Sequence, residues 1–169
     1  MGCHPKPTKK QRIDRAIITF SEHQNYMPEI KIIPEQYNEI VTDTILDSSI
    51  RVRIKNYSHM NEAIVINKSE EKLEEQYRII SSDIQVYFND NKTITATINA
   101  NHISKEFKTD QFWDNANIQY SWLNQEQSTK DKVALNITLY NPLLDLHKSL
   151  TLTIDKQGIK TYSEETKFI

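Results

Sequence analysis

Apolar and polar residues alternate along most of the chain, and this period of two predicts β-strands. Residues 50–55 place Ile50, Val52 and Ile54 on one face and three cations on the other. Seven or more strands that follow one another along the chain favour an antiparallel sandwich or a strongly curved sheet. The other alternating segments are EIVTDTIL (39–46), DIQVYF (83–88), KTITATINA (92–100), NIQYSWL (117–123), VALNITLY (133–140) and SLTLTID (149–155).

Turns and helices complete the predicted fold. Turns are expected at residues 47–49, 89–91 and 155–158, with Gly158 in the left-handed conformation. Helical signal is weak. Residues 69–78, with an N-cap at Ser69 and an acidic first turn, predict one short helix, and residues 101–113 favour a second. We therefore expect a mainly β fold with one or two short helices, not a parallel α/β sheet.

The length of the chain agrees with a single domain. The chain has 169 residues, of which 37% are hydrophobic, and this is enough for a substantial core. Residues 4–12 contain two prolines and no apolar side chain other than these. The predicted organisation is a tether over residues 1–12 and a single β-rich domain over 13–169. A net charge of −2 argues against a nucleic-acid surface.

Scarce glycine and cysteine restrict the possible chemistry. Gly2 and Gly158 are the only glycines, so phosphate-binding loops and the nucleophile elbow of serine hydrolases cannot be built. Cys3, the only cysteine, lies in the tether, which argues against thiol catalysis and cysteine metal sites. Only carboxylate or histidine chemistry remains for an enzyme, and we expect no catalytic site, no metal and no cofactor.

Cys3 also bears on the compartment. N-myristoylation of Gly2 is disfavoured because Lys6 occupies the position that requires Ser or Thr. A plain cytosolic start with an incidental thiol is a second interpretation. The preferred one is a lipoprotein signal, in which the small Gly2 precedes a cysteine that is lipidated, followed by the basic tether. This predicts a membrane partner through a lipid anchor on Cys3.

Two groups of side chains are candidates for binding a partner. Large rings mark interfaces and sugar-stacking platforms, although a glycine-poor β protein also needs rings to fill its core. The cations form a ladder that either meets an acidic partner or protects an edge strand from pairing. The candidate partner-binding residues are the aromatic Trp113, Tyr120 and Trp122 and the basic Arg51, Arg53 and Lys55.

Three further groups of polar residues fit structural roles better than chemical ones. Asp145 and His147 are spaced for one face of a strand, as in a metal pair or an acid/base dyad, but no third ligand is near them in the sequence. His59 is expected in an exposed loop after a strand. The acidic run at residues 70–75 is expected to be a solvated helix face.

The order of three segments resembles small lipoproteins of Bacteroidetes that form an uncharacterised family with a domain of unknown function. The segments are IVTDTILDSSIRVRIKNYSHMN (40–61), DQFWDNANIQYSWL (110–123) and VALNITLYNPLLDLHKSLTLTIDKQGI (133–159), and the resemblance covers about residues 30 to 162. It implies a cell-envelope location and no particular activity.

Two finer expectations follow from that resemblance. Lys6, Lys9 and Lys10 occupy the stretch where surface-exported lipoproteins of this phylum carry acidic residues, which favours an outer-membrane lipoprotein that faces the periplasm. Asp43-Thr44-Ile45 fits the pattern that these bacteria glycosylate, so Thr44 is a candidate for O-glycosylation.

We therefore expect a lipid-anchored cell-envelope domain that binds a protein or glycan without catalysis. An immunity-type protein that neutralises a toxin is one version. A polysaccharide-binding lipoprotein and a hydrolase that uses carboxylates and histidine are the alternatives.

The anchor can be tested directly. Expressed in a bacterium behind a lipoprotein signal segment, the protein should be lipidated on Cys3 and partition into detergent, and Cys3→Ala should remain in the aqueous phase. Mass spectrometry of the membrane fraction reads the modification. An unmodified Cys3 in that fraction would contradict the anchor.

Overall fold

The computed structural model describes residues 8–26, 28–46, 49–68, 70, 72–89, 92–107 and 110–164, and this part of the chain is mainly β. The strands are β1 (Glu29–Ile33), β2 (Glu39–Leu46), β3 (Ile50–Lys68), β4 (Leu73–Phe88), β5 (Lys92–Ile98), β6 (Asn117–Thr129), β7 (Lys132–Asn141), β8 (Leu146–Asp155) and β9 (Lys160–Glu164). The helices are α1 (Lys9–Tyr26), α2 (Ala100–Ser104) and a 3-10 helix (Gln111–Asn115).

The strands form two sheets. In the first sheet the order is β1-β4-β3-β2, and β5 also pairs with β4. β1 and β5 share one edge of β4, since β1 pairs with residues 73–77 and β5 with residues 82–88. The second sheet is the meander β6-β7-β8-β9. Every pairing except the parallel β1–β4 pair is antiparallel, which confirms the predicted mainly β, sandwich-like fold.

The core lies between the two sheets and follows the alternation of the sequence. Residues on the inner faces of β7 and β8 are inaccessible to solvent, and they pack with the inner residues of β3 and β4. Burial of these branched side chains supplies most of the stabilisation, at about 25 cal/mol per Å² of apolar surface. The central residues of the core are Val52, Ile54, Ile84, Val86, Ile118, Val133, Leu135, Ile137, Leu139, Leu150, Leu152 and Ile154.

A buried polar contact joins the first sheet to the second. The Asn56 side chain on β3 donates to the Ser121 carbonyl on β6 at 2.9 Å and accepts from the Ser121 N–H at 3.0 Å. The Ser82 hydroxyl on β4 donates to the same Asn56 oxygen at 2.7 Å. One carboxamide therefore satisfies both backbone groups of a residue on the other sheet, as a neighbouring strand would.

Two more contacts hold other parts of the sandwich. The Asn117 side chain at the start of β6 donates to the Arg78 carbonyl and accepts from the Ile80 N–H, both on β4. In the predicted turn at residues 155–158, Gly158 has a φ of +86°, and a Cβ added to it would lie 3.8 Å from the Ile94 side chain of β5. The prediction of a left-handed glycine in this turn is confirmed.

Helix α1 was not expected from the sequence. It begins at Lys9, inside the segment predicted as a tether, and residues 9–20 are exposed. Thr8 and Gln11 cap it reciprocally: the Gln11 side chain accepts from the Thr8 N–H, and the Thr8 hydroxyl accepts from the Gln11 N–H. Among the described residues, no helix is both long and apolar enough to span a membrane.

The helix predicted over residues 69–78 is wrong. Residues 73–78 belong to β4, where they pair with β1 and β3, and Glu75 of the acidic run is buried instead of solvated. The second predicted helix is confirmed in its first part, since Asn99 caps α2 and Ile103 is buried. Four predicted features lie wholly or partly outside the described residues. They are the turns at 47–49 and 89–91, the helix cap at Ser69, and Cys3.

The contact between the Asn56 side chain and the Ser121 backbone can be tested by removing that side chain. Asn56→Ala leaves the buried N–H and carbonyl of Ser121 without partners and should lower the free energy of unfolding by about 3 kcal/mol. Asn67→Ala is a control on the same strand, because Asn67 is exposed. It should change stability by less than about 0.5 kcal/mol. Urea unfolding measures both, and equal effects of the two substitutions would contradict the role of Asn56.

Candidate functional site

The outer face of the second sheet carries an aromatic pair. Tyr120 and Trp122 lie two residues apart on β6, so their side chains share one face of the strand. Their ring centroids are 6.1 Å apart and the ring planes meet at 18°. Trp122 is 36% exposed, and neither ring belongs to the core. The structure therefore places both rings at the surface, in a nearly parallel arrangement.

Hydroxyl and amide side chains continue this face across the sheet. The strand register aligns Tyr120 with Thr138 and Trp122 with Asn136, and continues from these onto β8 and β9. Among the described residues of these two rows, no side chain is charged. Part of this bonding is internal, since the Asn136 side-chain oxygen accepts from Asn124 at 3.1 Å and the Thr138 hydroxyl donates to the Tyr120 carbonyl at 3.3 Å. The remaining donors and acceptors of hydroxyls and amides suit a ligand that both donates and accepts. We call this surface the uncharged face; its residues are Tyr120, Trp122, Asn136, Thr138, Ser149 and Ser163. Thr151 belongs to the same rows but is buried.

Trp113 is not part of the aromatic pair. It follows Phe112 in the 3-10 helix and packs against the core. Phe107 stacks on its indole with ring centroids 5.1 Å apart and an interplanar angle of 16°, and the Lys148 ammonium lies 5.7 Å from the ring centre. Trp122 is also stacked, on Tyr120, but it is 36% exposed and does not pack against the core as Trp113 does. Trp122 therefore offers more surface to a ligand. Its main role is to fill the end of the sandwich.

A cleft of about 230 Å³ lies beside Trp113. Two of its amides have structural roles, because Asn99 caps α2 and Asn117 bonds to the backbone of β4. The cleft therefore has fewer polar groups available for a ligand than its lining suggests. Its walls are Glu62, Ile64, Ile79, Asn99, Ala100, Asn101, Trp113, Asp114, Ala116 and Asn117.

The predicted basic ladder lies on the outer face of the first sheet and is largely paired. Arg51 donates two hydrogen bonds to Asp43 at 2.8 and 2.6 Å, and this contact holds the pKa of the Asp43 carboxyl below its ordinary value. The Lys55 ammonium lies 3.6 Å from the Asp83 carboxylate. Arg53 is exposed between them. β3 lies between β2 and β4, so the interpretation of the ladder as edge protection is wrong.

Asp145 and His147 do not form a dyad. Asp145 lies in a turn with a φ of +52° and accepts a hydrogen bond from the Tyr140 hydroxyl at 3.0 Å. His147 stacks on the Tyr140 ring with centroids 4.6 Å apart. Both residues thus contact the same tyrosine. In the described ranges, no three His, Cys, Asp or Glu side chains are grouped so as to hold a metal ion.

His59 lies in strand β3, so its predicted loop position is wrong. Its Nε2 forms a hydrogen bond of 2.8 Å with the Ser81 hydroxyl on β4. Thr44, the candidate glycosylation site, is half-buried on β2 opposite Val52, whose side chain is in the core. This places Thr44 on the inner face of its strand, and its modification stays a prediction.

An ionic cluster around Glu75 was not predicted. The Glu75 carboxylate lies 3.0 Å from the Lys68 ammonium and 3.6 Å from the Lys31 ammonium, and accepts from the Tyr77 hydroxyl at 2.9 Å. Hydrogen bonds from Lys68 and Tyr77 lower the pKa of Glu75, while burial and the bond to Glu75 raise the pKa of Tyr77. Tyr77 also meets Tyr140 edge-on, so the cluster links the two sheets. These side chains therefore hold β4 against its neighbouring strands and against the second sheet.

No protein family and no curated protein matches this chain. The resemblance to Bacteroidetes lipoproteins and the envelope location that it implies stay predictions.

The Glu75 cluster predicts a dependence of stability on pH. A lowered folded-state pKa means that the ionised carboxylate contributes stability above its unfolded pKa, and that this contribution is lost as pH falls through the folded pKa. Glu75→Gln should therefore be less stable than the parent at neutral pH, by about 1 kcal/mol. The difference should shrink in acid.

Urea unfolding over a pH series measures this effect. Glu126→Gln is the matched control, because Glu126 is exposed on β6. It should stay within about 0.5 kcal/mol of the parent at neutral pH. A Glu75→Gln deficit that persists unchanged in acid would show that packing, and not charge, explains the loss.

Proposed function

We propose that this chain is a non-catalytic binding domain of a bacterial cell envelope and that it binds a neutral polysaccharide on the uncharged face. The observation that carries the proposal is the nearly parallel pair of Tyr120 and Trp122 at the surface, bordered by rows of hydroxyl and amide side chains. The lipid anchor on Cys3 and the periplasm-facing outer-membrane location belong to the same proposal and are supported by the sequence alone.

The chemistry of sugars explains the choice of ligand. A pyranose ring presents C–H groups on its faces, which pack on aromatic rings, and hydroxyls on its rim, which donate and accept hydrogen bonds. Tyrosine and tryptophan supply large contact areas with little loss of side-chain entropy. Asn136 and Thr138 lie beside them in the sheet. Because the described residues of the two rows carry no charged side chain, a neutral glycan fits better than an acidic one.

The contacts of the titratable side chains support binding over hydrolysis. A hydrolase of this size would need a carboxylate or a histidine directed at its substrate. Asp145 and His147 are instead committed to Tyr140, and His59 is bonded to Ser81. The hydrolase alternative has no pair of side chains to support it among these candidates.

Binding of a protein, as expected for an immunity-type function, is the second candidate. One observation favours it: the outer face of the first sheet alternates charges, with the Arg51–Asp43 and Lys55–Asp83 pairs on either side of the exposed Arg53. Such a face suits a polar protein surface of complementary charge. A protein partner could bind this face independently of the uncharged face, which lies on the other sheet.

Affinity electrophoresis tests the proposed function. Native gels that contain soluble neutral glucans, mannans or xylans should retard the parent, and Trp122→Ala should weaken binding by about 2 kcal/mol or more, which is roughly thirtyfold in Kd. Tyr120→Ala should act in the same direction. Tyr87→Ala is the matched control, since Tyr87 lies on β4 in the first sheet and should bind like the parent.

Two results would contradict the glycan proposal. One is equal migration of the parent and Trp122→Ala in every polysaccharide gel. The other is capture of an envelope protein whose binding is lost in Arg53→Ala and retained in Trp122→Ala, which would favour the second candidate.

A further inference from the structure

Helix α1 presents an apolar stripe to solvent. At 3.6 residues per turn, Ile13, Ala16, Ile17 and Phe20 fall within an arc of about 100° on one side of the helix. Ile13, Ile17 and Phe20 are 50%, 60% and 65% exposed. Surface helices of globular domains normally bury such a stripe against the core. Here the sheets leave it exposed, so it is available to another apolar medium.

The charges of α1 are arranged around this stripe. Lys9 lies at its N-terminal end, and Lys10 and Arg12 lie along its two borders, while Asp14 is the only acidic residue between positions 9 and 20. Long basic side chains can keep their charge at a polar boundary while their aliphatic parts cover apolar surface. An apolar stripe with cations on its borders matches the boundary between acyl chains and anionic headgroups.

The first turn of α1 also favours contact with anionic headgroups. It contains no acidic residue, although the partial positive charge of a helix N-terminus favours anions there. Lys9 and Lys10 therefore oppose the helix dipole. A negatively charged surface beside this turn would neutralise both the side chains and the dipole. Two copies of α1 packed in parallel would instead bring the same cations together.

We propose that α1 is a membrane-surface helix, which lies in the interface of an anionic lipid bilayer with Ile13, Ile17 and Phe20 inserted among the acyl chains. Lys9, Lys10 and Arg12 contact the headgroups. Membrane binding through α1 requires neither lipidation of Cys3 nor a glycan, so its test is separate from that of the proposed function. With an anchor also present, the two contacts would fix the orientation of the domain over the bilayer.

Vesicle flotation of the full, unlipidated chain tests the proposal. The protein should float with vesicles of phosphatidylglycerol and phosphatidylcholine, should bind weakly to phosphatidylcholine alone, and should be released by high salt because salt screens the headgroup charge. The double variant Lys9→Gln, Lys10→Gln should lose most of the preference for phosphatidylglycerol.

Adjacent isoleucines provide a matched pair of variants. Ile17 and Ile18 are 60% and 55% exposed, but they lie about 100° apart around the helix, and Ile18 falls opposite the stripe. Ile17→Glu should weaken binding to the anionic vesicles about tenfold or more, since it removes an inserted side chain. Ile18→Glu makes the same change of charge and should bind within about threefold of the parent.

Three outcomes would overturn the proposal. They are no flotation of the parent, equal binding to the two kinds of vesicle, and equal loss in Ile17→Glu and Ile18→Glu while circular dichroism shows intact folding. A fourth overturning outcome, measured by sedimentation without vesicles, is a dimeric parent that becomes a monomer in Ile17→Glu, because a second copy of the chain would then cover the stripe.

Discussion

The two sheets are joined where the Asn56 carboxamide meets the backbone of Ser121. An inner face of a sandwich is normally apolar, and a polar group there must find its partner inside the protein. Asn56 donates and accepts at a single residue of β6, and Ser82 completes the bonding of its oxygen. Among the described residues, no fully buried side-chain nitrogen or oxygen lacks a hydrogen-bond partner. This junction fixes the position of β6 relative to β3, so the apolar layers meet in one register.

The position of β6 determines what each outer face presents. The Ser121 side chain is buried and its hydroxyl lies 2.9 Å from the Ser82 hydroxyl, so the neighbouring side chains of Tyr120 and Trp122 lie on the outer face. The outer face of the first sheet instead carries ion pairs between neighbouring strands, such as that of Arg51 with Asp43. The first sheet therefore presents charges together with the rings of Tyr57 and Tyr87, whereas the described rows of the second sheet present rings, hydroxyls and amides without charge. This division is what makes the second sheet the better candidate for a neutral ligand.

The sequence predicted the strands where alternation alone decides the structure, as in Val133 to Leu139, whose apolar members are all buried. It failed at residues 73–78. The local pattern of acidic residues there predicts a helix. In the structure, Glu75 is instead stabilised in a strand by Lys31 and Lys68 from neighbouring strands. A local sequence pattern does not contain these contacts.

The sequence did contain signals for helix α1. Thr8 and Gln11 have the spacing of a capping box, and Ile13 and Ile17 are four residues apart. For the candidate site, the sequence identified Tyr120 and Trp122, but it could not separate them from Trp113. That difference arises from Phe107, which stacks on Trp113 and on neither of the other two rings. Such a contact depends on the path of α2 and the loop after it.

The left-handed turn at Gly158 has a mechanical consequence. It places the β8–β9 connection beside Ile94 of the first sheet, in addition to the hydrogen bonds that Asn56 and Asn117 form between the sheets. A sandwich attached at more than one place resists sliding of one layer over the other. The rows of side chains on its outer faces then keep their spacing before any ligand arrives. Such preorganisation lowers the entropy lost on binding and favours an extended ligand whose repeat matches the spacing of the strands.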